Sequence, residues 1–124
     1  NESYTCHSNR YIYSVSLPME TTTRILSKSG PALFKNDLQT GEVSEHDFGL
    51  NRHPGEFVFV SKTEKFGKSG KVLEDDGWLM GFVVDSVEEV TDLVILEAQN
   101  ISAAPIASVR IPHIVPPGFH GNWV

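Results

Sequence analysis

The strongest constraint on the fold is a pair of apolar segments separated by an acidic loop. Residues 78–85, W-L-M-G-F-V-V-D, form an apolar run of strand length, and residues 93–98, L-V-I-L-E-A, form another after the acidic loop at 86–92. Short runs of this kind, bounded by turn residues and rich in β-branched side chains, are typical of strands buried on both faces. The chain is therefore expected to build a sheet that needs a partner on each side.

The rest of the chain predicts further strands and no helix. Arg10–Leu17 alternates apolar and polar residues with period two, which indicates a half-buried strand. By the same reading we expect strands at residues 31–36, 42–48, 56–60 and 106–111, with turns at 37–41, 51–55 and 100–105. No window of 11 or more residues carries a helical apolar stripe. The fold class is predicted to be all-β.

The expected strands fall into two groups, residues 10–48 and residues 56–111. Each group holds three or four strands, which is the size of one four-stranded propeller blade. The two groups share little sequence, so this comparison depends on the number of strands alone. A two-sheet sandwich fits the same pattern equally well.

Charge and cysteine content exclude some functions. The 124 residues carry a formal net charge of −6, which argues against binding of nucleic acid through its phosphate backbone. The single cysteine, Cys6, cannot form an internal disulfide, which favours a reducing compartment of cytoplasmic or plastid-like character. We expect no apolar span of the roughly 20 residues that a membrane helix needs.

Few residues indicate a catalytic or metal-binding role by their local sequence alone. The five histidines have no zinc-site spacing, and they are His7, His46, His53, His113 and His120. The acidic run at residues 74–76 is expected to be a solvated turn. Glu56 opens an apolar strand, where it is either a hydrated strand-end carboxylate or an acceptor that orients a metal-bound imidazole. His120 in turn is either a metal ligand or an ordinary hydrogen-bonded or exposed histidine.

Three segments in this order resemble the C-terminal part of the carotenoid cleavage oxygenases, also called the retinal pigment epithelial membrane protein family. They are H-P-G-E-F-V-F-V (53–60), E-D-D-G-W-L-M-G-F-V-V-D (74–85), and residues 93–123, which end in P-P-G-F-H-G-N-W. The resemblance implies a seven-bladed β-propeller. Residues 1–124 would then form about two C-terminal blades of a single propeller domain whose upstream blades are absent from this sequence.

The resemblance also implies a chemistry. The family holds non-haem Fe(II), the Fe(2+) ion, on four histidines from separate blades, and glutamates surround three of these ligands. It uses O2 to cleave a carbon–carbon double bond of a carotenoid, an apocarotenoid or a stilbene. In this sequence G-F-H-G places His120 on the fourth ligand, P-G-E-F-V-F-V places Glu56 on one of the glutamates, and Phe119 corresponds to a residue of the substrate tunnel. A chain with one ligand is not expected to be active alone.

Other functions remain compatible with the sequence. A stilbene-cleaving or retinoid-isomerising member of the same family would share the metal site. A non-catalytic β-domain that binds a partner through its open strand edges would lack it. For the enzyme we expect a polyene substrate, O2 and peripheral membrane contact as the partners.

Overall fold

The computed structural model describes residues 4, 6–16, 30–62, 73–116, 118 and 120–123. Seven strands lie within these residues, as predicted. They are β1 (Tyr11–Val15), β2 (Ala32–Asp37), β3 (Val43–Asp47), β4 (Arg52–Ser61), β5 (Gly77–Asp85), β6 (Val90–Glu97) and β7 (Ala107–Ile111).

The strands form two antiparallel sheets that match the two predicted groups. The first sheet has the order β1-β2-β3 and the second has the order β4-β5-β6-β7. Every strand pairs with its neighbour in sequence, so each sheet is a simple meander. In the second sheet β4 and β7 are the two edges.

Two predicted loops are shorter in the structure than the sequence suggested. Residues 51–55 were predicted as a turn, but β4 begins at Arg52 and includes Pro54 and Gly55. The turn lies just before it, where Gly49 (φ 89°) and Asn51 (φ 63°) adopt left-handed conformations. Because β4 is an edge strand, a proline without an N–H group can be accommodated in it. The acidic loop at 86–92 is likewise reduced to residues 86–89, since β6 begins at Val90.

One face of the second sheet packs on the first sheet and forms the core. Leu79 and Val83 of β5 and Leu96 of β6 are at most 1% exposed, and they cluster with Leu33 of β2. Partly buried side chains surround this cluster, namely Tyr13, Val15, Phe48, Phe57 and Phe59. Removal of these side chains from water is the main force that holds the two sheets together.

A buried ion pair also joins the two sheets. The Lys35 ammonium on β2 donates to Asp75 Oδ2 at 2.7 Å and to the Ala98 carbonyl at 2.9 Å. Lys35 is 7% exposed and Asp75 is 8% exposed. The prediction of a solvated acidic turn at 74–76 is therefore wrong. The turn faces the first sheet, and Glu74 accepts hydrogen bonds from the backbone N–H groups of Arg10 and Tyr11.

The second sheet is apolar on its other face as well, as its two-sided runs predicted. In β5, the positions that alternate with the core positions are Trp78, Met80 and Phe82, and their side chains lie on this second face. Val109 of β7 lies on the same face. Phe82 is 43% exposed and Val109 is 54% exposed. Among the residues that the structure describes, the second face has less cover than the core face.

An ion-pair cluster ties together one end of the second sheet. Arg52 of β4 lies 2.6 Å from Asp92 and 3.4 Å from Asp85, and Arg110 of β7 lies 3.2 Å from Asp92 and 2.7 Å from Glu88. Burial raises the pKa of Asp92, but hydrogen bonds from the two guanidinium groups outweigh burial. The pKa of Asp92 is therefore below its ordinary value.

This lowered pKa predicts acid sensitivity. A carboxylate whose pKa is lower in the folded state contributes stability above its unfolded pKa, about 4 for Asp, and loses it as pH falls further. Asp92→Asn is expected to lower the melting temperature at pH 7, and the gap to the wild type should narrow between pH 5 and pH 3. Thermal unfolding across this range measures the gap. Glu89→Gln in the exposed turn is the control, and a gap for Asp92→Asn that does not change with pH contradicts the assignment.

The Lys35–Asp75 pair gives a second prediction. Lys35→Met leaves a buried carboxylate without its cation, which should cost about 3 kcal/mol of unfolding free energy. Lys62→Met is the matched control, because Lys62 and Glu97 form a 2.6 Å pair whose side chains are both 30% exposed. The control should cost less than about 1 kcal/mol in urea unfolding. Equal losses in the two variants would mean that Lys35–Asp75 does not hold the sheets together.

Candidate metal site on the edge strand β4

A one-residue bulge interrupts β4 between Pro54 and Phe57. Pro54 pairs with Val83 and Phe57 pairs with Gly81, so Gly55 and Glu56 both lie opposite a single residue of β5. Pro54 is buried and Phe57 packs against the core, although the two are three positions apart. Side chains alternate with period two along a regular strand, so only the extra residue lets both face the core. Glu56, next to Phe57, therefore lies on the exposed side.

Glu56 contacts the closing segment, by which we mean the described residues after β7, at 112–116, 118 and 120–123. Its Oε2 accepts a 2.6 Å hydrogen bond from the Gly121 N–H, and its Oε1 lies 3.4 Å from His120 Nδ1. The structure thus brings together the two candidate residues, Glu56 and His120, which are 64 positions apart. The site is open, because the His120 side chain is 85% exposed and that of Glu56 is 41% exposed.

This contact favours one tautomer of His120. A carboxylate accepts hydrogen bonds, so Glu56 favours the form with the proton on Nδ1 and the lone pair on Nε2. The 3.4 Å separation is longer than the usual range for an N–H···O bond. Histidines that bind metals commonly have their other ring nitrogen next to a carboxylate, so the position of Glu56 is compatible with such a role for His120.

The closing segment reaches β4 from the opposite edge of the sheet. It follows β7, and the Val115 N–H donates a 2.8 Å hydrogen bond to Oγ1 of Thr91 on β6. Thr91 is fully buried at 0% exposure. Thr91 and Glu56 therefore anchor the segment at two points, of which the sequence indicated only Glu56. Thr91 falls in the acidic loop predicted at 86–92, and a threonine in a loop gives no local signal of this role. Phe119, the predicted tunnel residue, lies outside the described residues.

Three other described histidines have different surroundings. The His46 Nδ1 lies 2.8 Å from the Ile101 carbonyl, the His53 Nε2 lies 3.3 Å from Ser86 Oγ, and His113 is exposed. Among the described residues, no group of three or more His, Cys, Asp or Glu side chains is arranged to hold a metal ion. His120 and Glu56 therefore fit an iron site as one donor with its supporting carboxylate. Further donors would have to come from outside this set.

A polar cavity of about 250 Å³ lies at one end of the two sheets, away from this site. Four of the five charged groups in its lining form two ion pairs, Arg10 with Asp37 and Lys35 with Asp75, and the fifth group is Glu42. Arg10 and Asp37 form a 2.6 Å pair there, and the hydrogen bond from Arg10 holds the pKa of Asp37 well below its usual range. The cavity is therefore part of the contact between the sheets.

In the described part of the chain we find no helix with the length and apolar character needed to cross a membrane.

Comparison with known sequences identifies the family. The profile of the family described as retinal pigment epithelial membrane protein matches residues 1–124. The chain is 34% identical over 130 residues to a carotenoid 9,10(9',10')-cleavage dioxygenase of Crocus sativus, covering 100% of this chain and 23% of that protein. It is 33% identical over 125 residues to a chloroplastic 9-cis-epoxycarotenoid dioxygenase of Arabidopsis thaliana, covering 100% of this chain and 19% of that one.

The apocarotenoid-15,15'-oxygenase of Synechocystis is similar in sequence and in structure. It is 33% identical over 114 residues, covering 92% of this chain and 21% of its own. A cobalt-substituted structure of the Synechocystis apocarotenoid oxygenase has a TM-score of 0.74 at 31% identity, over 95% of this chain and 22% of that chain. The substitution with cobalt shows that this relative holds a metal.

These relatives also decide the architecture. The Synechocystis enzyme is a seven-bladed β-propeller, so the two sheets correspond to propeller blades and the sandwich alternative is wrong. The chain spans less than a quarter of the length of each of these relatives. From the profile match over residues 1–124 and these relatives, we conclude that the chain belongs to the retinal pigment epithelial membrane protein family, whose members include the carotenoid cleavage dioxygenases.

Proposed function

We propose that these residues are the C-terminal part of an Fe(II)-dependent enzyme that uses O2 to cleave a carbon–carbon double bond of a carotenoid or apocarotenoid. The observation that carries this proposal is the Glu56 carboxylate, which lies against both His120 Nδ1 and the Gly121 N–H. A histidine that binds a metal commonly donates its other ring N–H to a carboxylate, which fixes the orientation of the ring. The named activities of the Crocus and Synechocystis relatives support the substrate class.

Each residue of the proposed site has one task. His120 would donate Nε2 to the iron. Glu56 would keep the proton on Nδ1 and would raise the basicity of the ring, because its negative charge stabilises positive charge on the imidazole. The 2.6 Å bond to Gly121 would fix the backbone that carries the ligand. Phe119, beside the ligand, would line the substrate tunnel.

The remaining iron ligands would come from other blades of the same propeller domain. The second face of the second sheet supports this, because Phe82 and Val109 on it are 43% and 54% exposed. An apolar sheet face left in water is unfavourable, so another sheet would be expected to cover it. Residues 1–124 alone would therefore supply one iron ligand with its supporting carboxylate, and they would not be active.

The bound iron would supply the activation of O2, and the product would be two carbonyl groups that each receive one oxygen atom. The protein would contribute the positioning of the double bond and the exclusion of water from it. A substrate dissolved in lipid would be collected through peripheral membrane contact. The reducing compartment that Cys6 favours would keep the iron as Fe(II), and a plastid fits the chloroplastic relative.

The ligand assignment is tested by iron content. Because the other donors lie outside these residues, the measurement uses the full-length protein that carries them. His120→Ala should abolish stoichiometric iron and the cleavage of an apocarotenal. His113→Ala, which removes an exposed histidine from the same segment, should change neither. Iron and activity that survive His120→Ala unchanged would eliminate His120 as a ligand. A full-length wild-type protein that holds no iron and cleaves no apocarotenal would instead favour a non-catalytic binding domain.

The role of Glu56 is tested separately. Glu56→Gln keeps the size of the side chain but removes the charge, so it should weaken iron binding roughly 10- to 100-fold. Titration of the protein with a competing chelator measures this affinity. Glu45→Gln, an exposed carboxylate on β3, is the control for loss of one negative charge. Wild-type affinity in Glu56→Gln would mean that Glu56 is only a hydrated strand-end carboxylate.

A further inference from the structure

Gly81 of β5 lies directly against the bulge that carries Glu56. A Cβ atom at Gly81 would lie 2.8 Å from the Glu56 carbonyl oxygen and 2.6 Å from Phe57 Cδ2. Carbon atoms that are not bonded to each other pack about 3.5–4.0 Å apart, so neither contact could persist without movement. The two strands approach more closely at this point than any side chain on β5 would allow.

The bulge decides on which side of β4 the Glu56 carboxylate lies. Pro54 faces the core, so strict alternation would turn Glu56 to the core as well. The extra residue reverses this, because Phe57 takes the core position and Glu56 is directed to the exposed side. A bulge therefore aims the carboxylate at the closing segment, which is a recognised role of bulges near functional sites.

The two contacts at Gly81 differ in how easily they can be relieved. The Phe57 ring can turn within the core, but the Glu56 oxygen belongs to the backbone of the bulge. A methyl group at Gly81 would therefore push the Glu56 peptide itself. The Glu56–His120 contact is already 3.4 Å long, so a shift of a few tenths of an ångström is enough to break it.

We propose that Gly81 is a positioning residue for the Glu56 carboxylate and, through it, for His120. The lack of a side chain at this position on β5 lets the bulge form in the one geometry that bonds Gly121 and orients the imidazole. This proposal depends on the proposed iron site for its consequence in metal binding. Its structural part, the hold of Glu56 on Gly121, can be tested without iron.

The same strand offers a matched control. A Cβ atom at Gly77 would meet the Phe59 ring and would lie 2.5 Å from the Val60 carbonyl oxygen. Gly77 is buried, like Gly81, and pairs with Ser61 in a regular part of the β4–β5 ladder. An added methyl group therefore causes the same kind of clash with a ring and a backbone oxygen, but away from the bulge.

The experiment compares Gly81→Ala and Gly77→Ala in the full-length protein. Three quantities are measured, namely the melting temperature, the iron affinity by chelator competition, and the hydrogen exchange of the Gly121 amide in iron-free protein. Both variants should lower the melting temperature. Only Gly81→Ala should weaken iron binding, by roughly 10-fold or more, as expected when a ligand loses its supporting partner. Of the two glycine variants, only Gly81→Ala should also speed the hydrogen exchange of the Gly121 amide. Glu56→Gln should speed it as well, because it weakens the acceptor of that amide.

A second variant covers the case in which Gly81→Ala does not fold. Gly81→Ala combined with Phe57→Val relieves the contact with the ring and keeps the contact with the Glu56 carbonyl. This double variant should regain stability while the iron affinity stays low and the Gly121 exchange stays fast. The proposal is overturned if iron affinity and exchange return with stability, or if the two glycine variants affect them equally.

The outcomes separate this proposal from the proposed function. If His120→Ala leaves iron binding intact, the iron site is wrong, and the Gly121 exchange alone then decides the role of Gly81. If His120 and Glu56 are both needed for iron but Gly81→Ala matches the wild type in affinity and exchange, the iron site stands and the role of Gly81 is refuted.

Discussion

The burial of Lys35 between the two sheets constrains the rest of the structure. Its ammonium donates hydrogen bonds to Asp75 Oδ2 and to the Ala98 carbonyl. Asp75 lies just before β5 and Ala98 just after β6, so both belong to the second sheet. A buried charge without its partner is costly, so one sheet cannot slide over the other without breaking these bonds. The apolar contact of Leu33 with Leu79 and Leu96 supplies attraction but little direction. The ion pair adds a fixed alignment to that attraction.

The bulge in β4 connects this packing to the candidate site. Phe57 and Phe59 fill core positions after the bulge, while Pro54 fills one before it. The core therefore holds β4 on both sides of the extra residue, and Glu56 is left with only one side on which to lie. The direction of a carboxylate at the surface is in this way set by aromatic packing inside. We infer that the site depends on the core more than its exposure suggests.

The second sheet shows why a site of this kind would be shared. Both of its faces are apolar, and one is covered by the first sheet, so it is suited to a position between neighbouring blades. Glu56 of its edge strand lies against one imidazole, that of His120 in the segment after β7. In the function we propose, other blades would supply the remaining histidines, and the iron would be held only where several blades meet. The stability of the propeller and the binding of the metal would then depend on the same contacts between sheets.

Local sequence by itself determined the strands, their two groups and the all-β class, because period-two alternation and short apolar runs are properties of neighbouring residues. The order of three segments also indicated the family and singled out Glu56 and His120. Tertiary structure alone decided that Pro54 and Gly55 belong to an edge strand with a bulge at Gly55 and Glu56, since Pro54 and Gly55 equally favour a turn. It alone decided that Asp75 is buried, because its partner Lys35 lies 40 positions away, and that Glu56 meets Gly121, 65 positions away. These contacts depend on how the sheets pack and where the chain returns, which no local pattern of residues encodes.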